Sequence, residues 1–202
     1  MPRRPLIIAC GALAGELRAL LPARHGDDGI EVRYLPANLH NRPDDIVPAV
    51  AAILDEVGDD NVFVAYADCG TGGLLDALLA HHPGVRRLAG AHCYEFFAGA
   101  DLYARLLAEE PGTFFLTDFL ARHFDALVWR GLGIDVHPSL AAMYFGNYRR
   151  VVLLTQSTDP TVVTAGRHAA AQLGLTFEHH HVGRAGLAPA VAVDIVAAGS
   201  AS

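Results

Sequence analysis

The sequence predicts an α/β fold, an open and mostly parallel sheet with helices on both faces in the manner of a Rossmann-like three-layer sandwich. Two observations predict it. Short apolar runs of strand length alternate with longer runs of helical period, and Gly, Pro or acidic residues punctuate the joints. The three cysteines, Cys10, Cys69 and Cys93, also each fall where a strand-like run stops and a helix-like run begins. If the strands are parallel, those three joints share one edge of the sheet.

Element by element, Leu6 to Ala9 reads as a strand leading to a helix over Ala12 to Leu21. Glu31 to Leu35 is a second strand. It passes through Pro36 to Pro43 into a helix over Asp44 to Val57, where Ile46, Val50, Ile53, Leu54 and Val57 keep a helical apolar spacing and Asp44 or Asp45 supplies a cap. Val62 to Ala67 feeds a helix over Gly73 to His81. A short strand around Arg87 to Ala91 feeds a helix over Tyr94 to Ala108, which Pro111-Gly112 ends.

The second half keeps the alternation. Gly112 to Thr117 reads as a strand, Phe119 to Leu127 and Pro138 to Phe145 as helices, and Arg150 to Thr155 as the clearest late strand. Asp159-Pro160 is a cap-and-Pro start for a helix over Thr161 to Leu173. Gly174 stops that helix before a strand over Leu175 to His180. The reading gives one α/β domain over residues 1–185, followed by an Ala-rich tail over 186–202.

Composition narrows function. With 202 residues and 52% apolar content, the chain can bury one substantial core. A formal net charge of -7 lacks the basic footprint of a nucleic-acid binder. All 15 basic residues are Arg, so a lysine Schiff base and a P-loop lysine are both excluded. The amino terminus matches neither a signal peptide nor a membrane span, because Glu16 and Arg18 interrupt its apolar stretch; this predicts a cytoplasmic protein. Cysteines without Cys-x-x-Cys spacing are then free thiols rather than a disulfide framework. The Ala-rich, apolar chain makes a homo-oligomer an expectation without naming an interface.

One buried cysteine is most simply a small hydrophobe. Three at the carboxyl ends of strands occupy the place where open α/β sheets bind ligands, and three thiolates suit zinc with an open fourth position. An iron–sulfur cluster with one non-cysteine corner is the inorganic rival. His92 and Glu95 flank Cys93 and are candidate contacts there. The run Gly70-Thr71-Gly72-Gly73 either shapes the entrance beside Cys69 or presents backbone N–H groups to an anion, and it lacks the spacing of a dinucleotide fingerprint. Thr117 and Asp118 lie on the same predicted edge, as helix caps or as substrate contacts. His179-His180-His181 reads as an edge cluster, since strand neighbours point to opposite faces and cannot converge on one ion.

Four segments together resemble a known family: Ile7 to Leu17 around Cys10, Tyr66-Ala67-Asp68-Cys69-Gly70, His92-Cys93 followed by Gly99 and Tyr103, and Pro111 to Thr117. They are similar to the family called domain of unknown function 1638, over about residues 5 to 185. Members of that family are often found alongside corrinoid proteins and methyltransferases that use methylamines, betaines or methanol. The resemblance therefore implies one-carbon metabolism by association. This chain departs from the family pattern at His92, where relatives carry Asp, and in its short carboxyl-terminal segment.

Chemistry and resemblance together lead to a zinc protein in corrinoid-linked methyl-group metabolism, with Cys10, Cys69 and Cys93 as ligands and methyl or alkyl transfer as the reaction. Two other readings stand beside it. One is a metal-free enzyme with Cys69 as nucleophile and His92 as base. The other is a non-catalytic partner of a corrinoid protein or methyltransferase, its cysteines serving as core.

Overall fold

A computed structural model describes residues 4–21 and 29–183 of the chain. Its seven strands form two all-parallel sheets. The first has the order β2-β1-β3-β4, from β1 (Leu6–Cys10), β2 (Glu31–Leu35), β3 (Val62–Ala65) and β4 (Arg86–Arg87). The second has the order β5-β6-β7, from β5 (Thr113–Thr117), β6 (Arg150–Thr155) and β7 (Thr176–His181). Parallel strands joined through helices make the α/β sandwich that the alternation predicts.

Burial follows strand position. β1 and β3 lie inside the first sheet, and every residue of both is buried, as their unbroken apolar runs require. β2 is an edge strand and carries charge. Its Arg33 pairs with Glu31 at 2.8 Å and with Glu56 at 2.9 Å. Helix α2 (Ile46–Val57) buries the stripe Ile46, Val50 and Leu54, spaced four apart on one face, and stops at Gly58 with φ 74. The second sheet repeats the logic. β6 is central, with Val151 to Leu154 fully buried, and it packs with Leu116, Phe124, Ile134 and Val162.

Several boundaries move from the sequence expectation. The first helix opens as a 3-10 turn, Gly11–Leu13, before α1 (Ala14–Leu20), because the Cys10 side chain accepts from the Ala12 N–H. α3 covers Leu74–Leu79. The strand expected around 87–91 is two residues long. The helix expected over 94–108 is two helices, α4 (Cys93–Ala98) and α5 (Ala100–Glu109), broken at Gly99, whose φ of 80 cannot continue a helix. The helix expected over 119–127 is α6 (Asp118–Arg122), followed by a π-helical turn over Asp125–Trp129. α7 (Ser139–Phe145) and α8 (Pro160–Leu173) fall close to their predicted spans.

The sequence reading drew one domain over residues 1–185. The chain groups into two compact units, one reaching to Phe96 and one beginning at Phe97, each with its own sheet. The Ala-rich tail over 186–202 lies outside the described residues. Among the described residues no helix is long and apolar enough to cross a membrane.

Candidate metal centre

In the first sheet the strand order reverses between β1 and β3, so the chain leaves these neighbours toward different elements and opens a crevice at their carboxyl ends. Each of the four strands sends one sulfur or imidazole there. Cys10 ends β1, His40 follows β2, Cys69 follows β3, and Cys93 opens α4 after β4. Backbone contacts hold these loops together. The N–H groups of Asp68 and Cys69 donate to the carbonyls of Gly90 (3.2 Å) and Ala91 (2.9 Å), which ties the turn bearing Cys69 to the loop before Cys93. Arg87 fixes that loop from below, bound to Asp76 through two nitrogens (2.6 and 2.7 Å) and donating to the Leu88 and Gly90 carbonyls.

Cys69 has φ 49, in the left-handed region that favours glycine, and Gly70 follows at φ 88. A Cβ on Gly70 would meet Pro43 Cγ at 3.1 Å. This bare backbone lets the Pro36–Pro43 loop, and with it His40, close onto the Cys69 turn.

The ligand atoms of His40, Cys69 and Cys93 all lie within 4.8 Å of one another, a group that can hold a metal ion. Cys69 Sγ and Cys93 Sγ are 3.0 Å apart. Cys10 Sγ stands 3.7 Å from His40 Nδ1 and accepts from the Ala12 N–H at 3.3 Å. The His40 ring stacks on Tyr66 at 5.8 Å between centroids. Tyr66 is wholly buried, and its hydroxyl makes no hydrogen bond of ordinary geometry among the described residues, the Cys10 side chain being the first polar group that acts on it.

Without a metal the groups share protons. The Cys93 thiol donates to Cys69, which is the first reason that Cys69 falls to about 4 against the opposing cost of burial; the His40 side chain adds to it. Cys93 is pushed up by the same neighbour and by burial. Burial acts against a charged His40 ring, but hydrogen bonding to Cys10 and Cys69 and their negative charge more than offset it, raising His40 to about 10. Tyr66 is pushed up by burial first and by the charge on Cys10 next. Both shifts run in the same sense: they favour the charged ring of His40 and the thiolate of Cys69, with the Cys93 thiol close by.

The other residues that the sequence singled out lie apart from this group. Gly70 to Gly73 do not offer their amides to an external anion: Asp68 accepts from the N–H groups of Gly73 (2.7 Å) and Gly72 (3.1 Å) and from the Thr71 hydroxyl (2.8 Å). These bonds, that from Gly73 foremost, hold the Asp68 carboxyl below its ordinary range. The His92 ring stacks on Tyr94 at 5.6 Å, and the Glu95 carboxylate covers Gly90, where a Cβ would meet Oε2 at 2.3 Å.

Thr117 and Asp118 belong to the second unit. Thr117 caps α6 by accepting from the Leu120 N–H at 3.4 Å. Asp118 is buried, and its carboxylate accepts from the N–H groups of Gln156 and Ser157, both at 3.0 Å, and from the Ser157 hydroxyl. It clamps the turn after β6. The three histidines split by face as strand period requires. His179 and His181 both contact Thr155 Oγ1 (2.9 and 3.1 Å), while His180 pairs with Glu178 at 2.6 Å.

Sequence reasoning passed over His40 and Tyr66. The signal for His40 was the rule that located the cysteines: Pro36 to Pro43 also follows a parallel strand. Tyr66 lay inside a run read as strand to Ala67, whereas β3 ends at Ala65.

The family described as "Protein of unknown function (DUF1638)" matches residues 34–190. The chain belongs to it. The stretch that matches the DUF1638 family contains His40, Tyr66, Cys69 and Cys93, and it begins after Cys10. No curated protein matches the chain.

Proposed function

We propose that this DUF1638 protein binds one zinc ion through His40, Cys69 and Cys93, with Cys10 as the further sulfur donor, and that it serves methyl-group metabolism beside a corrinoid protein or methyltransferase. The observation that carries the metal is the convergence of four such side chains, one from each strand of the first sheet, at its carboxyl edge.

The spacing supports the fit. Two ligands of one tetrahedral zinc stand about 3.6 Å apart for nitrogen and sulfur and about 3.8 Å apart for two sulfurs, from the usual bond lengths. Cys10 and His40 at 3.7 Å meet the first value. Cys69 and Cys93 at 3.0 Å would separate by somewhat under 1 Å to meet the second, a shift within reach of side-chain rotation. Binding replaces protons: Cys93 loses its own, and His40 gives up the hydrogen that Nδ1 directs at the Ala37 carbonyl, 3.2 Å away.

Zinc among thiolates supplies Lewis acidity toward a further sulfur nucleophile, which is the chemistry of alkyl acceptance. The methyl-group setting rests on the company that the family keeps, and a reducing cytoplasm is the compartment in which such thiols persist.

Elemental analysis and an absorption spectrum of anaerobically purified, untagged protein test the reading. About one zinc per chain without visible colour is the expected result, with Cys69→Ser, Cys93→Ser and His40→Ala each losing it. Iron with a brown charge-transfer band would replace zinc by a cluster. No metal at all would favour a second reading that the depressed Cys69 and raised His40 support, a metal-free nucleophile in which His40, not His92, partners Cys69.

A further inference from the structure

We propose that Cys10 is an exchangeable ligand of the metal centre and that a small external thiol takes its place. The inference rests on the metal reading above and deepens it by naming a substrate class. Its ground is a division within the four donors. His40, Cys69 and Cys93 converge mutually, whereas Cys10 stands outside that group of three and meets it at His40, at 3.7 Å. Cys10 has a second home. Its sulfur already accepts from the Ala12 N–H at 3.3 Å, which caps the 3-10 turn after β1.

Tyr66 supplies a further reason. A buried hydroxyl without a well-formed hydrogen bond is costly, and that of Tyr66 has Cys10 as its neighbour. A Cys10 sulfur that leaves the metal keeps the Ala12 N–H as its donor, and a small turn toward Tyr66 would let it accept from that hydroxyl as well. The displaced state is therefore solvated by the protein itself.

Charge selects the incoming group. The external thiol binds as thiolate, its sulfur–metal bond forms as the Cys10 sulfur–metal bond breaks, and its proton passes to Cys10. One thiolate replaces another, so the charge buried in the site is unchanged, and a soft sulfur donor is kept on a thiolate-loving ion. Burial selects size. Cys10 and Cys69 are 1% and 2% exposed and Cys93 is half-buried, so a cysteine on a protein surface is shut out and the proposal is confined to a slim thiol that enters on the Cys93 side.

Cobalt(II) loading of the full chain under anaerobic conditions tests the proposal, with β-mercaptoethanol as probe. Sulfur-to-cobalt charge transfer counts the bound thiolates, and the ligand-field bands follow thiol binding. Cys10→Ala and Cys10→Ser, checked for native circular dichroism, are expected to keep one cobalt per chain with about a third less charge transfer, which the added thiol restores. Wild type should bind the thiol about tenfold more weakly than Cys10→Ala, since Cys10 competes. Tyr66→Phe should weaken thiol binding about five- to tenfold in wild type and leave it unchanged in the Cys10→Ala background.

If folded Cys10 variants lose cobalt, Cys10 is a permanent ligand; if they show wild-type charge transfer before thiol is added, it is no ligand. Either result overturns the proposal; the first leaves the metal reading standing, and the second reduces it to a site of His40, Cys69 and Cys93. A wild-type chain that takes up no cobalt overturns both.

Discussion

Cys69 and His40 are defined by each other, and the chemistry of the site begins with that pair. A thiol in apolar surroundings normally rises, yet Cys69 falls to about 4 because Cys93 donates to it and His40 stands by as a cation. The consequences for stability have opposite signs. The folded value of Cys69 lies below its ordinary 9.0, so its contribution is complete above that pH and is lost as pH falls through about 4. The folded value of His40 lies above its ordinary 6.5, so its contribution is complete below 6.5 and is lost as pH rises through about 10. In metal-free protein the ultraviolet thiolate absorbance should therefore show a step near pH 4 that disappears in Cys69→Ser and moves upward in His40→Asn. A first step only near pH 9 would show that the pair does not form.

At the scale of elements, the turn after β3 does most to assemble the centre. Its glycines are unequal. Gly70 has φ 88 and faces Pro43, whereas Gly72 has φ 63 with open space around it. Alanine at either position meets the left-handed penalty of about 1–2 kcal/mol, read as a lower urea midpoint. Gly70→Ala should also push away the Pro43 segment that carries His40, weakening zinc about tenfold or more in a chelator competition, while Gly72→Ala leaves zinc affinity near wild type. Equal effects on metal would mean that the contact with Pro43 does not position His40. In the second unit the Asp118 clamp on Gln156 and Ser157 plays the corresponding part for the turn after β6, with its donors drawn from the chain itself.

For the whole molecule, a metal held at this site would couple ligand binding to folding. Zinc at a thousandfold excess over its dissociation constant adds about 4 kcal/mol to the stability of the unit that binds it. Hydrogen exchange should show the gain in the amides of β1 and β3 and in the turns that follow them. Unchanged exchange at β1 and β3 on zinc addition would place any bound metal elsewhere.

The sequence by itself determined the strands that are buried on both sides, because Leu6 to Ala9, Val62 to Ala65 and Val151 to Leu154 carry their burial in unbroken apolar runs. It also determined that Cys10, Cys69 and Cys93 follow strands on the carboxyl side, Cys10 at the end of β1 and the other two in the segments after β3 and β4. For His40 the local pattern held only its place after a strand; its partnership with the cysteines depends on β2 pairing with β1, a choice made by hydrogen bonds between segments more than twenty residues apart. Nor could it show that the Gly72 and Gly73 amides turn inward to the Asp68 carboxylate, or that the strands of the described residues divide into sheets of four and three. Local sequence fixes periodicity and turns; which strand edges meet, and which side chains then share a crevice, is decided by packing across the fold.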